Sequence, residues 1–243
     1  MNYKPIQFNE GEYSVRTLAS KGDHLQAFKL RHKVYSERLA WVPSTPEGLE
    51  IDRFDLYSTS IGLFSGEEKL LGLIRLLPPD HPFMLEVHFV DLVGPDYTIR
   101  KEWDTVEITR LTLVSTEESK GLSACYLKIL LKGLYQWSVE NNIRYAFMEV
   151  EKRFWRILNR LGFLSTPIGR VKRLPPAYAE SMASLLDWEN FRSCNRDHQP
   201  DFLEWISKAR LSSVPWQGPA HDRVTLPEVL KVYYEHENSP SVR

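Results

Sequence analysis

Residues 70–77 read LLGLIRLL, apolar at both parities apart from one arginine. Such a run fits a strand covered on both faces rather than one with a wet side. Arg75 adds a second demand. A buried, unpaired guanidinium costs roughly several kcal/mol, so it needs a carboxylate or an anionic ligand. Acids lie close by in sequence: Glu50, Asp52 and Asp55 fall in a loop-like stretch, 42–57, that carries two prolines and a glycine. An ion pair between Arg75 and that loop is compatible with a ligand site at the same place.

The surrounding pattern points to layers. Runs at 58–64 and 69–77 read as strands joined by the polar turn Ser65-Gly66-Glu67-Glu68, and TVEITRLTLV at 105–114 is strongly β-branched. A further apolar stretch covers 83–92. The period then becomes helical from Leu122 to Asn141, followed by a short strand at 144–150 and a helix over about 152–161 stopped by Gly162. Upstream, Asp23 with Gln26 resembles a capping box opening a helix of roughly 23–39. Strands first, then helix–strand–helix, predict an α/β or α+β sheet with helices on its faces. Beyond Pro175 helices are expected near 176–190, 200–210 and 226–236, with SSVPWQGPAHD as a loop before the last. The division expected is 1–185 as one domain and 186–243 as a helical extension packed on it.

Between Arg31 and Asp55 the chain sets cationic, aromatic and anionic groups in order: Arg31, Tyr35, Trp41, Glu50, Asp52 and Asp55. Together they suit a zwitterionic ligand that carries a ring. Taken alone, Arg31 reads first as an arginine whose stem packs while its head reaches water. Glu107 and Arg110 are separated by an odd number of residues, so regular pleating puts them on opposite faces. A β-bulge between them would bring both to one side. Glu50-x-Asp52-x-x-Asp55 lacks the glycine and further ligands of a calcium loop, so no metal is expected.

Seven basic residues between 152 and 173, among them Lys152, Arg153, Arg156 and Arg160, occur without an intervening acid. In a chain of net charge −1 this block is a local positive patch, either a solvated helix face or a docking face for an acidic protein. Nucleic acid is not expected, because no base-stacking pattern or DNA-binding motif accompanies it. No apolar run approaches the ~20 residues of a membrane helix. The first residues, MNYKPIQFNEGEYS, do not read as a signal peptide, so a cytoplasmic protein is expected. Cys125 and Cys194 have no metal-ligand spacing. Nucleotide-loop, nucleophile-elbow and zinc-protease motifs are missing as well.

The segments LRHKVYSERLAWVP, GLEIDRFD, IRLLP and EITRLTL resemble the acyl-homoserine lactone synthases, the autoinducer synthases of bacterial quorum sensing. The family's motif positions are met by Arg31, Tyr35, Trp41, Glu50, Asp52, Asp55, Arg75, Phe89, Glu107 and Arg110. Tyr35 stands where the family usually has phenylalanine. The resemblance covers about 20–170 and implies an N-acetyltransferase-like fold with a mixed, mostly antiparallel central sheet. It further implies S-adenosylmethionine as substrate, no cofactor, and an acyl group delivered on acyl carrier protein. Glu107, with Glu50 second, is the expected base, and Arg110 and Arg75 are expected to fix carboxylates. Arg31, Tyr35 and Trp41 are expected around adenosylmethionine, with Asp52 and Asp55 near its cationic part. The patch at Lys152, Arg153, Arg156 and Arg160 is expected to dock the carrier. Trp137, Phe147 and Met148 are candidates for the acyl cavity. The acetyltransferase pyrophosphate loop survives only as Glu118-Ser-Lys-Gly121-Leu-Ser123, and its leading acid disfavours a bound CoA pyrophosphate. Val150 and Glu151 stand near the place of a threonine associated with 3-oxo chains, so an unsubstituted chain is expected.

Two rivals follow from the same residues. An N-acyl amino acid synthase would share the fold and the carrier but have no adenosyl group to clasp. A non-catalytic acyl or adenosyl sensor would keep the cavity without turnover.

Overall fold

The computed structural model describes residues 1, 3–114, 121–213 and 230. Two short strands, β1 (Gln7–Glu10) and β2 (Tyr13–Thr17), precede the helix α1 (Lys21–Arg31). Strands β3 (Thr59–Phe64) and β4 (Leu70–Leu77) follow, then the single turn α2 (Met84–Val87) and β5 (Thr105–Leu113). After α3 (Ser123–Glu140) come β6 (Tyr145–Glu151), α4 (Lys152–Arg160), β7 (Ser165–Pro167), β8 (Lys172–Leu174) and β9 (Ala179–Asp187). Two helices, α5 (Trp188–His198) and α6 (Pro200–Ser207), complete the described chain. The sheet order is β1-β2-β3-β4-β5-β6-β9-β7, with β8 also on β9. Among the described residues every pairing is antiparallel except that of β5 with β6.

All of β4 is buried, as its sequence requires. Ile74 and Leu76 join the core beneath α3, while Leu73 packs in the cluster that holds Ala27 and Leu30 of α1. Gly133 lets α3 sit close on the sheet, since a Cβ there would stand 2.5 Å from Val15 Cγ1. α4 ends as expected at Gly162, whose φ of +90° suits glycine.

Two irregularities shape the site. Between β4 and β5 the register jumps from Leu73↔Thr112 to Arg75↔Thr109, so β5 carries an extra residue. Arg110 lies in that bulge with φ +51°, a left-handed conformation that costs a non-glycine residue about 1–3 kcal/mol. The other irregularity is a parting of strands. β5 and β6 pair from Thr105↔Tyr145 to Ile108↔Met148, and both then run on, β6 staying paired with β9 as far as Glu151↔Ser181.

Several local expectations need correction. The helix expected at 176–190 is instead the strand β9, and the helix starts only at Trp188. AESMASLLD has helix-forming residues, but β6 offers it a continuous antiparallel partner, and tertiary pairing overrides propensity. The boundary expected at 185/186 falls inside that strand. Trp188, Phe191 and Ile206 of the following helices join the same core as α3. The N-cap of α1 is Ser20, which accepts from Asp23 N, whereas Asp23 is held by Arg16 and Gln26 bonds the backbone of β4. The helix expected over 23–39 changes at His32 to the wider π form, through Arg38. The 83–92 stretch makes only short turns, Met84–Val87 and Val90–Leu92. The helix expected at 226–236 apart from Leu230, most of the loop before it, and the first half of the Glu118–Ser123 motif lie outside the described residues.

Candidate active site

The loop after Trp41 brings its acids back against α1 and β4, where they meet three arginines. Arg31, at the end of α1, donates from Nε to Glu50 and through both Nη atoms to Asp55, at 2.6 and 3.0 Å. Arg75 donates to Asp52 at 2.6 and 3.0 Å, to Asp55 at 2.7 Å, and from Nε to Thr109 Oγ1 at 3.0 Å. Arg110 closes the ring, reaching Glu50 at 2.8 Å and Asp52 at 3.0 Å. The loop is locally specified. Asp52 caps the short 3-10 turn Arg53–Leu56 by accepting from Phe54 N, and Asp55 accepts from Asp52 N. Those carboxylates face the guanidinium groups of the three arginines.

Burial is deep enough for pairing to decide ionisation. Arg75 is wholly buried and Arg31 nearly so. Burial alone would raise Glu50, but Arg31 and Arg110 outweigh it and hold its carboxyl at about 2. Asp55 behaves likewise: Arg31 and Arg75 overcome burial and drive it well below the usual range. Both arginines are pushed above their ordinary values, because the acids outweigh burial there too. Fork-shaped pairing of this kind is what makes a buried ionic cluster tolerable.

Glu107 is the counter-example. It is also wholly buried, but its oxygens accept from Met84 N at 2.5 Å and Leu85 N at 2.9 Å, not from an arginine. Burial raises its carboxyl to about 8, against the two amides and Arg75. It is therefore a proton-holding group near neutrality beside a cluster that stays ionised.

These groups border a cavity of about 1060 Å³ that opens where β5 and β6 part. Its polar end is walled by Tyr35, Trp41, Asp52, Glu107 and Arg110, with Phe89 beside them. Tyr35 and Trp41 lie with ring centroids 5.9 Å apart, the Arg110 guanidinium stands 5.1 Å from the Tyr35 ring centre, and the Tyr35 hydroxyl donates to Leu111 O. The bulge puts Glu107 and Arg110 on one cavity, where regular pleating would have set them on opposite faces. Arg31, Glu50, Asp55 and Arg75 stand behind this wall and do not line it. The other end is apolar, formed by Leu131 and Leu134 of α3, Met148 and Val150 of β6, and Phe154 and Leu158 of α4. Of the three residues expected there, only Met148 lines it. Trp137 packs edge-on against Tyr3, and Phe147 packs with Phe83 and Tyr97.

The basic residues divide. Arg153, Arg156 and Arg160 are exposed on α4, on the helix whose apolar face walls the cavity, while Lys152 pairs with Glu180 at 3.1 Å. Sequence reasoning missed Met84 and Leu85 as the amides that hold Glu107, because backbone donors leave no sequence mark. It also missed Glu149, which lines the cavity and shares the sheet face of Phe147. The alternation in YAFMEVE was the available signal.

Comparison with known proteins decides the family. The autoinducer synthase family model matches residues 16–191. The chain belongs to the autoinducer synthases. These acyltransferases include a probable acyl-homoserine-lactone synthase of Sinorhizobium fredii, 32% identical over 145 residues, 58% of this chain and 69% of that protein. The acyl-homoserine-lactone synthase of Rhizobium radiobacter is 30% identical over 149 residues, 59% of this chain and 69% of its own length. The fold matches BjaI, a CoA-dependent acyl-homoserine lactone synthase solved with MTA, at TM-score 0.65 and 21% identity, over 90% of this chain and 97% of that one. The synthase LasI matches at TM-score 0.62 and 20% identity, over 72% and 89% of the two chains. The autoinducer synthase fold in this chain is the mixed, mostly antiparallel sheet flanked by helices described above. Among the described residues no helix is long and apolar enough to cross a membrane.

Proposed function

We propose that this autoinducer synthase makes an N-acyl-homoserine lactone from S-adenosylmethionine and an acyl group carried on acyl carrier protein. The observation that carries the reading is the cavity itself, which joins an aromatic and ionic end to an apolar limb across parted strands. A nucleoside with a zwitterionic side chain suits the first, and an acyl tail suits the second.

The α-ammonium of adenosylmethionine loses a proton, and the free amine attacks the thioester carbon. The C–S bond breaks, and the departing thiolate takes a proton. The substrate carboxylate then attacks Cγ, the C–S⁺ bond breaks, and methylthioadenosine leaves with the lactone closed. Glu107, whose burial raises its carboxyl to about 8, serves as proton acceptor through a water in its ionised form, so turnover rises as pH approaches 8. Glu50, held ionised by Arg31 and Arg110, keeps Arg110 in place rather than moving protons. Backbone N–H groups at the β5 bulge meet the oxyanion. Tyr35 and Trp41 offer ring faces to the adenine or the sulfonium, with Phe89 beside them, and Asp52 supplies negative charge. Arg31, Arg75 and Asp55 act from behind, fixing that wall.

The donor is the finer point. Arg153, Arg156 and Arg160 offer an exposed cationic face suited to an acidic carrier protein, on a helix that also forms the cavity wall, with Lys152 at its start. BjaI is CoA-dependent by its description. The test is therefore a paired assay of the same acyl chain on carrier protein and on CoA, following methylthioadenosine and lactone by mass spectrometry. Higher kcat/KM with the carrier, lost several-fold on Arg153→Glu with Arg156→Glu, supports the proposal. Equal or better turnover with acyl-CoA overturns the carrier assignment. Acylation of free amino acids without methylthioadenosine would make the protein an N-acyl amino acid synthase, and binding without turnover would make it a sensor.

A further inference from the structure

The three acids of the 50–55 loop are matched one for one by the motif's three arginines. Glu50, Asp52 and Asp55 carry three negative charges against the three positive charges of Arg31, Arg75 and Arg110, so the cluster is neutral as it stands. Adenosylmethionine brings a sulfonium, an ammonium and a carboxylate. Its ammonium, two bonds from the carboxylate carbon, needs an anion of its own inside the cavity. Glu107 holds its proton near neutrality and is tied to two backbone amides.

Glu149 is placed differently. It lies on β6 one residue past the last pair with β5, where the strands part, and it lines the cavity. Its alternation with Met148 and Val150 turns it away from the α3 core that holds those residues, onto the face of Phe147. Ser181 of β9, itself buried, lies diagonally across the β6–β9 ladder from it and lines the same cavity, as does Arg110, and both favour its charged form. Among the described residues it makes no salt bridge.

We propose that Glu149, oriented by Ser181, is the seat of the adenosylmethionine α-ammonium, with Arg110 beside it facing the α-carboxylate. This rests on the reading of the cavity as an adenosylmethionine site. Burial raises the Glu149 carboxyl above its ordinary value against the pull of Ser181 and Arg110, and an ammonium arriving beside it adds the charge that favours the ionised form. The seat holds the nitrogen at the strand opening, facing the limb that takes the acyl chain.

Three ligands isolate the contact. S-Adenosylmethionine carries sulfonium and ammonium, S-adenosylhomocysteine the ammonium alone, and methylthioadenosine neither. Calorimetric titration of the full chain with each is compared for wild type and Glu149→Gln. A hydrogen bond to a charged group predicts a loss of at least about tenfold for both ammonium-bearing ligands, with methylthioadenosine changed less than about twofold. Methylthioadenosine binding doubles as the check that the variant folds. Ser181→Ala, which keeps the charge and frees it to rotate, gives a smaller loss on the same two ligands and stands in if Glu149→Gln does not fold. Equal losses on all three ligands, no loss, or loss on adenosylmethionine alone overturns the ammonium seat. A wild-type protein that binds none of the three defeats the adenosylmethionine reading itself, and the seat with it.

Discussion

The two ends of the cavity are built on opposite terms. At the polar end each side chain is fixed by partners of complementary charge and shape: Asp55 alone accepts from Arg31, Arg75 and the Asp52 amide. At the apolar end Leu134, Met148, Phe154 and Leu158 are held by packing alone. Ionic fork geometry specifies a residue, because a neutral isostere leaves a buried charge without its counterion. Packing specifies a volume, and several side chains can fill it. Substitutions of similar size at the two ends should therefore differ sharply in cost.

The largest effect is expected at Asp55. Asp55→Asn keeps the shape but leaves two buried guanidinium groups short of an anion, and stability should fall by about 3–5 kcal/mol. Urea unfolding near neutral pH measures it. A loss below about 1 kcal/mol would mean that water or rearrangement supplies the missing charge, and the contrast between the ends would fail.

Much of the polar end was legible in the sequence, and the reason is physical. Arg75 in an apolar strand and three acids in one loop state a pairing problem with few solutions. A bulge was one of two readings that the odd Glu107–Arg110 spacing left open, and the register of β4 and β5 contains it. What was not legible depended on partners remote in sequence. AESMASLLD reads as helix until β6 pairs with it. Trp137 reads as a cavity wall until Tyr3 covers it. Glu107 reads as the expected base, and nothing in the sequence marks the Met84 and Leu85 amides that close on it.

That last difference gives a second prediction, on carboxyls of opposite behaviour within one wall. Glu50 is lowered from 4.5 to about 2, so the unfolded chain binds more protons in that window. Its contribution is complete above about 4.5 and is lost as pH falls through about 2; Asp55 acts in the same direction. Glu107 is raised from 4.5 to about 8, so the folded chain holds the extra proton. Its contribution is complete below about 4.5 and declines as pH rises to about 8, by at most about 1.4 kcal/mol per pH unit. Glu107→Gln should flatten the decline between about pH 4.5 and 8 in urea unfolding and leave the limb below about 4.5 unchanged. It should also lower kcat by about 10²-fold or more if Glu107 is the proton acceptor. An unchanged slope between about pH 4.5 and 8 would mean that Glu107 is ionised when folded, and full activity would remove it from the chemistry.

The smallest stability effect belongs to the apolar limb, where it sharpens the comparison rather than breaking it. Leu134 is almost wholly buried, yet it borders the cavity, so part of its surroundings is open volume. Leu134→Met conserves volume and exchanges a branched side chain for a flexible one, a change that should cost less than about 1.5 kcal/mol. The functional readout is the ratio of kcat/KM for two acyl donors differing in chain length. A hydrophobic pocket discriminates a methylene by about 1–3 kcal/mol, so reshaping one wall can move that ratio by about tenfold while turnover of the favoured chain stays within a few-fold. A ratio that does not move would place the acyl tail away from α3. A stability loss equal to that of Asp55→Asn would mean that the limb, too, specifies residues rather than volume.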